Sequence, residues 1–198
     1  MSELLNTAYK LLSEGFAVIP SGGGESGKAP IIKWEPYQSR LPDKKELEGW
    51  DYKDKPALWG IVTGSISGIV VIDADNAEVR AQIEATGIKP HVVTPRGGAH
   101  YYFQHPGYPV KTGVDLLPKI DIRADGGFVN CLGGKYHIVT LPARDNLFGP
   151  PGWHPLRLKV RHYLARDKDK DKDGMLVVIQ GRLVELQAEE WKEEDLDG

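Results

Sequence analysis

Two aspartates, Asp73 and Asp75, follow directly on an apolar run that extends from Gly68 to Ile72. Such a run predicts a buried strand, and residues two apart in a strand share one face, with Cα atoms roughly 6.5–7 Å apart. The two carboxylates can therefore converge on one cation or bridge two, because a divalent cation relieves the repulsion between like charges. Metal pairs held in this way serve phosphoryl transfer. By itself, the pattern equally fits a strand that ends in a solvated turn.

A second polar segment, between Thr94 and Phe103, contains Arg96, Gly97, Gly98 and His100. Adjacent glycines let backbone amides approach an anion. Arg96 adds a positive charge, and His100 adds a donor near the start of a predicted strand. The combination predicts a phosphate-binding turn, and a plain two-glycine hairpin is the competing interpretation.

A third segment, from Lys119 to Phe128, places another acid on a predicted strand. Asp121 is a candidate third metal ligand, and Arg123 lies two residues on and therefore on the same face. The alternative for Asp121 is a surface ion pair with Arg123, which would contribute little to stability. Asp125 precedes two glycines in a predicted tight turn, and we expect its role to be structural.

The glycine-rich stretch from Ser21 to Lys28 fits most of a Walker A loop and also the Gly-x-Gly-x-x-Gly pattern. Both patterns need a helix directly after the loop, because its first amides bind the phosphates. Here Pro30 follows almost at once and the next residues look extended, so we reject both motifs and predict a surface loop. Lys28 remains a candidate phosphate ligand, because a lysine on a glycine-rich loop is a mobile point charge.

A mixture of helices and strands must position these segments. Helices are predicted at residues 2–14, 43–50 and 76–86 from apolar periodicity and capping residues. Strands are predicted at residues 16–20, 57–62, 68–72, 91–94, 99–104, 119–123, 127–132, 136–141 and 175–179. Strands dominate the second half, which predicts an α+β fold around mixed or antiparallel sheets.

The composition is that of a globular chain, with 40% apolar and 27% charged residues among 198. The single cysteine, Cys131, excludes an intrachain disulfide and a cysteine-based zinc site, and we expect it to be buried. The net charge is −3, but residues 185–198 carry −6, which leaves +3 on residues 1–184 and permits phosphate binding. We recognise no signal peptide or membrane span, so a cytoplasmic protein without membrane contact is expected.

The charge pattern also predicts a division of the chain. Residues 1–165 are expected to form the folded part. Residues 166–173 read RDKDKDKD and contain nothing that packs, so they are predicted to be a linker or loop. Residues 174–198 are predicted to be a short strand followed by an acidic tail.

In this order, the segments resemble the prim-pol domain of the archaeo-eukaryotic primase superfamily. The resemblance runs from about Leu4 to about Val139 and rests on these pieces: Glu14-Gly15-Phe16-Ala17-Val18-Ile19-Pro20, Lys28-Ala29-Pro30, Trp34, Thr63-Gly64, Asp73-Ala74-Asp75, Thr94-Pro95-Arg96-Gly97-Gly98-Ala99-His100 and Asp121-Ile122-Arg123-Ala124-Asp125-Gly126-Gly127. It implies that residues 1–165 form a catalytic palm like that of an RNA-recognition motif, packed on a smaller N-terminal α/β lobe.

The resemblance implies a DNA primase/DNA polymerase that adds nucleotides from nucleoside triphosphates to a 3′-hydroxyl on a single-stranded or primed DNA template. It implies that Asp73, Asp75 and Asp121 hold Mg²⁺ or Mn²⁺, and that His100 contacts the phosphates of the incoming nucleotide. No zinc is expected. A helicase domain or protein is an expected further partner, because many members are joined to one. On physical grounds we add further candidate nucleotide-binding residues: Lys28, Arg96, Gly97, Gly98 and Arg123.

One segment departs from the family pattern, since Phe128 to Tyr136 lacks the expected Pro-Pro-Ser. Three alternative functions stay open at the level of sequence. Carboxylates at strand ends suit a metal-dependent nuclease equally well. A non-catalytic replication-initiation or nucleic-acid-binding module could share the fold. A small-molecule domain could use the loop that ends at Lys28.

Overall fold

The computed structural model describes residues 2–85, 87–117 and 119–149, together with two short strands at residues 175–179 and 182–186. Among these residues the helices are α1 (Glu3–Ser13), α2 (Lys44–Lys53) and α3 (Ala77–Glu84), with a 3-10 turn at Glu35–Gln38. In chain order the strands are β1 (Ala17–Gly23), β2 (Ala29–Pro30), β3 (Leu58–Val62), β4 (Ile69–Asn76), β5 (Val92–Val93), β6 (Gly97–Gln104), β7 (Gly113–Leu117), β8 (Ile120–Arg123), β9 (Phe128–Gly133), β10 (His137–Ile138), β11 (Met175–Ile179) and β12 (Arg182–Leu186).

Each helix begins where a polar side chain caps its free amides. The Ser2 hydroxyl accepts the Leu5 N–H at the start of α1. Asp43 and Glu46 form a reciprocal capping box at the start of α2, and Asn76 accepts an amide at the start of α3. All three predicted helices are therefore confirmed, with ends within a few residues of those expected.

The strands of residues 2–149 form two antiparallel sheets. The smaller sheet has the order β2-β1-β3-β9, and the larger has the order β10-β5-β6-β4-β8-β7. Strands β11 and β12 pair with each other as a hairpin. The α+β prediction is confirmed, and the two main sheets are antiparallel throughout.

The two main sheets share a hydrophobic core. One buried cluster joins α1 and the smaller sheet to one face of the larger sheet, through residues that include Leu11, Trp59, Ile69, Val71 and Tyr102. A second cluster packs α3 against the opposite face of the larger sheet. Alternate residues of β4 therefore face different clusters, as the period of a strand requires. Cys131 is buried in the shared core, as predicted.

Several predicted boundaries differ from the structure. β1 continues to Gly23 and pairs with β2, so only the residues from Gly24 to Lys28 form the loop, and the prediction of a loop from Ser21 was too wide. The loop leads directly into β2 and not into a helix, which confirms the rejection of both phosphate-loop motifs. β11 has the bounds predicted from sequence, whereas β7 and β12 were not predicted.

No helix within the described part of the chain has the length and apolar character needed to cross a bilayer. The predicted linker at 166–173 and the end of the acidic tail beyond Leu186 lie outside the described residues.

Candidate active site

Three strands of the larger sheet place polar residues side by side in one row. Asp73 on β4 is directly opposite Asp121 on β8 and also directly opposite His100 on β6. Residues directly opposite in a ladder lie on the same face, and Asp75 shares that face because it lies two residues beyond Asp73. The row therefore reads Asp121, Asp73, His100, with Asp75 at its edge.

Ligand atoms of Asp73, Asp75 and Asp121 all lie within 4.8 Å of one another. The three acids differ in burial, because Asp121 is only 3% exposed, Asp73 is half-buried and Asp75 is exposed. The structure thus brings together the three residues that the sequence singled out as metal ligands.

Asp121 also forms an ion pair with Arg123, which donates from a guanidinium nitrogen to a carboxylate oxygen. The pairing expected from the sequence alternative is therefore present. It differs from a surface pair because Asp121 is buried, and burial without a cationic partner would be costly for a carboxylate. Arg123 thus supports a buried charge within the cluster.

His100 is 4% exposed, and its Nε2 lies 3.3 Å from a carboxylate oxygen of Asp73. Its Nδ1 is buried and has no hydrogen-bond partner among the described residues. Buried polar atoms are seldom left unpaired, and this one belongs to the ring whose other nitrogen faces Asp73.

Electrostatic surroundings keep Asp73 ionised. Burial alone would raise its pKa, but His100, Arg123 and Lys28 together hold the pKa of this carboxyl below its usual value. Lys28 therefore lies within electrostatic reach of the cluster, although it belongs to the smaller sheet's hairpin loop.

Asn130 on β9 fixes the base of that loop. Its side-chain amide donates to the Lys28 carbonyl oxygen at 2.9 Å, and its Oδ1 accepts from the hydroxyl of Ser21. Gly60 lets β3 pack closely against β9, since an added Cβ there would lie 2.7 Å from the Val129 carbonyl oxygen and 3.3 Å from the Asn130 Oδ1. Asn130 thereby sets where Lys28 leaves the sheet.

Tyr136 contacts both Asn130 and the row of polar residues. Its ring centroid is 6.1 Å from that of His100. Burial and the nearby charge of Asp73 raise the pKa of Tyr136 to about 12, opposed by a hydrogen bond to Asn130 and by Arg96. Tyr136 is thus a neutral phenol on the His100 side of the cluster, with Arg96 in electrostatic range.

The turn before β6 uses its glycines for packing. The Gly97 N–H donates to the Thr94 carbonyl at 2.9 Å, so this amide is already bonded within the turn. A Cβ on Gly98 would lie 2.0 Å from the Ala74 carbonyl oxygen, so only glycine fits against β4 there. Both residues bring β6 close to the aspartate strand, and their direct contact with a nucleotide stays a prediction.

Asp125 ties together the loops behind the cluster. One carboxylate oxygen accepts the Ser65 N–H and the other accepts the Val110 N–H, each at 2.8 Å. Burial would raise the pKa of Asp125, but these bonds and His105 hold it below its usual value. The structural role expected from its tight turn is confirmed.

The donor set suits a hard divalent cation. Three carboxylates offer only oxygen, which Mg²⁺ and Mn²⁺ prefer, and no sulfur ligand lies among them. Their mutual repulsion at this separation is relieved by a bound cation. The residues present therefore fit the metal that the family resemblance implies.

Two residues of this site escaped sequence reasoning, namely Asn130 and Tyr136. Asn130 has no signal in the sequence, because its importance comes from contacts with segments far away in the chain. Tyr136 follows the turn formed by Gly133 and Gly134, and a partly buried aromatic after such a turn is too common to mark a site.

The family profile of the bifunctional DNA primase/polymerase N-terminal domain, Prim-Pol, matches residues 8–153. This is most of the chain and includes every residue of the site described above. Among curated proteins, no relative matches the sequence. The chain belongs to the Prim-Pol family, and the resemblance drawn from its motifs is confirmed.

Proposed function

We propose that this chain is a DNA primase/DNA polymerase that transfers a nucleotide from a nucleoside triphosphate to a nucleic-acid 3′-hydroxyl under the direction of a DNA template. The observation that carries the proposal is the convergence of Asp73, Asp75 and Asp121 within 4.8 Å, in a chain of the Prim-Pol family. The 3′-oxygen attacks the α-phosphorus, the bond to the bridging oxygen breaks, and pyrophosphate leaves, without a covalent enzyme intermediate.

The strand order supports the expected palm. In the larger sheet, β5-β6-β4-β8 are antiparallel neighbours, and α3 follows β4 and packs on the face away from the carboxylates. This is the order of a four-stranded RNA-recognition sheet, with the acids on the face opposite α3. The smaller sheet would be the second lobe, although it takes β9 from the second half of the chain.

Each polar residue has a task in this proposal. Asp73, Asp75 and Asp121 would hold Mg²⁺ or Mn²⁺, which supplies Lewis acidity for the attacking hydroxyl and the leaving pyrophosphate. His100, whose Nε2 lies beside Asp73, would contact a phosphate of the incoming nucleotide. Lys28 and Arg96 approach from two loops to neutralise the triphosphate, and Arg123 pairs with the buried Asp121.

Primer extension with isosteric variants tests the assignment. Asp73→Asn and Asp75→Asn keep the side-chain shape and remove one charge, and we expect them to lower nucleotide addition at least ~100-fold. Asp54→Asn is the matched control, because Asp54 is an exposed aspartate at the end of α2. It should extend primers as the unmodified chain does.

Other results would point elsewhere. Undiminished extension by Asp73→Asn would refute the metal-ligand role, provided that thermal melting shows a folded variant. Shortening of the labelled strand without pyrophosphate release would favour the nuclease. DNA binding without any product, with Mg²⁺ or Mn²⁺ and with or without a primer, would favour the non-catalytic module.

A further inference from the structure

Among the described residues, two lysines adopt a positive backbone φ, Lys55 at 44° and Lys119 at 67°. This left-handed conformation brings Cβ close to a carbonyl oxygen and costs free energy that a glycine would avoid. Non-glycine residues hold it where the surrounding structure imposes it, often at functional sites.

Lys55 has a plain structural explanation. It follows Asp54, the C-cap of α2, and helices commonly end with one left-handed residue at this position. Nothing at Lys55 links the conformation to the carboxylate cluster, so it serves as an internal reference.

Lys119 ends no helix, but it is placed beside the carboxylate cluster. Its carbonyl oxygen accepts the N–H of Asp75 at 2.9 Å, and it directly precedes β8, which carries Asp121. The left-handed turn therefore helps to align β8 with β4. A glycine would meet that backbone requirement at lower cost, so the backbone explains the conformation but not the choice of lysine.

The side chain of Lys119 is exposed. No carboxylate among the side chains that the structure describes forms a salt bridge with it, whereas the guanidinium of Arg123 is already bound to Asp121. A lysine presents three donors on a flexible four-carbon stem and binds phosphate as a point charge. Lys119 is thus a cation at the exposed edge of the site, next to Asp75.

We propose that Lys119 binds a phosphate group at the Asp75 edge of the carboxylate cluster, and that this contact compensates for its strained backbone. The proposal rests on the proposed function, because it takes that cluster as the place of phosphoryl transfer. The phosphate has two sources in that reaction, the triphosphate of the incoming nucleotide and the backbone of the primer strand.

Equilibrium titrations of three variants test it. Lys119→Met removes the charge and keeps Cβ, Lys119→Gly also removes the strain, and Lys55→Gly removes strain at the reference position. The ligands are a deoxynucleoside triphosphate analogue that cannot be cleaved at the α-phosphorus, with Mg²⁺, and a fluorescent primer–template. Thermal melting is recorded for every variant.

We expect both glycine variants to melt roughly 2 °C above the unmodified chain, because each relieves a left-handed lysine. We expect Lys119→Met and Lys119→Gly to weaken binding of one ligand roughly tenfold, the loss of one charge-assisted contact, while Lys55→Gly binds both ligands normally. Weaker analogue binding assigns the contact to the triphosphate. Weaker DNA binding, with a salt slope reduced by about 1, assigns it to the primer.

Unchanged affinities for both ligands in both Lys119 variants would overturn the proposal. The titrations need no turnover, so they decide the role of Lys119 separately from the primer-extension result. A chain that binds nucleotide through Lys119 yet never extends a primer would contradict the proposed function alone.

Discussion

At the scale of single residues, the site is a set of three carboxylates, two of which have a nitrogen-bearing side chain as a partner. Arg123 pairs with Asp121, and His100 lies against Asp73, while Asp75 is exposed at the edge. Three acids within 4.8 Å repel one another, and the guanidinium of Arg123 reduces the repulsion without removing it. The carboxylate cluster is therefore prepared for a divalent cation, and Asp73 stays ionised because its pKa is held below its usual value.

Asn130→Ala tests whether one amide side chain positions Lys28. The change removes the partners of the Ser21 hydroxyl and the Lys28 carbonyl, so we expect a loss of about 1–3 kcal/mol in the free energy of unfolding. Nucleotide affinity should also fall several-fold, because Lys28 loses its fixed starting point. Urea denaturation and nucleotide titration measure the two effects.

Asn146→Ala is the matched control for Asn130. Asn146 makes comparable bonds, accepting the Ala143 N–H and donating to the Leu141 carbonyl, in a loop away from the carboxylates. It should lose stability and keep nucleotide affinity. If both variants lost affinity in proportion to stability, the positioning role of Asn130 would be wrong.

At the scale of elements, local patterns predicted the residue types of the site but not their pairing. The spacing of Asp73 and Asp75 placed both on one face, because the two-residue period of a strand is local. The register that sets Asp121 and His100 on either side of Asp73 depends on pairing between distant strands. Local sequence carries little information about that pairing, so Asn130 and Tyr136 were missed.

Some predicted strand boundaries were wrong for the same reason. β10 has two residues where a six-residue strand was predicted, because only His137 and Ile138 pair in register with β5. β1 extends into the glycine-rich stretch because β2 pairs with it. In both cases the presence of a neighbouring strand decided the outcome, whereas the capped helices α1, α2 and α3 carried their own signals.

His91, just before β5, connects separate elements through hydrogen bonds that we expect acid to weaken. Its Nδ1 accepts the Tyr102 N–H at 3.3 Å, so in the neutral ring Nε2 donates to the Asn146 carbonyl at 3.0 Å. Burial lowers the pKa of His91 below its usual value of 6.5. The folded state therefore binds fewer protons at His91 than the unfolded state does. The contribution of His91 to the free energy of unfolding is complete above pH 6.5 and is lost as the pH falls through the lowered pKa.

Urea unfolding of the chain and of His91→Gln between pH 8 and pH 5 measures this contribution. The free energy of unfolding of the unmodified chain should fall more steeply with acidity, so the gap between the two proteins should narrow below about pH 6.5. A gap that stays constant across this range would show that His91 does not titrate on unfolding.

At the scale of the whole molecule, the two main sheets are packed around a shared core. Side chains from α1, β3, β4 and β6 meet in a single buried cluster. The carboxylates lie on the face of the larger sheet that belongs to this cluster, whereas α3 covers the other face. The hydrophobic core and the position of the three acids thus depend on the same contact between the two sheets.

A shortened chain that ends at residue 153 tests where the catalytic unit ends. The Prim-Pol match ends there, and the described strands β11 and β12 pair only with each other. We expect the shortened chain to unfold in one cooperative transition and to bind nucleotide with Mg²⁺ as the full chain does. Loss of cooperative unfolding or of nucleotide binding would assign residues 154–198 to the folded unit.

The position of β9 has a consequence for how the chain is synthesised. β3 lies between β1, which precedes it in the chain, and β9, which is made only after the whole of β4 to β8. On the ribosome, one edge of β3 therefore stays unpaired until β9 has emerged, and unpaired edges favour aggregation. Translation past Gly133 is thus required before the smaller sheet can be complete, and nascent chains released earlier are expected to depend on chaperones.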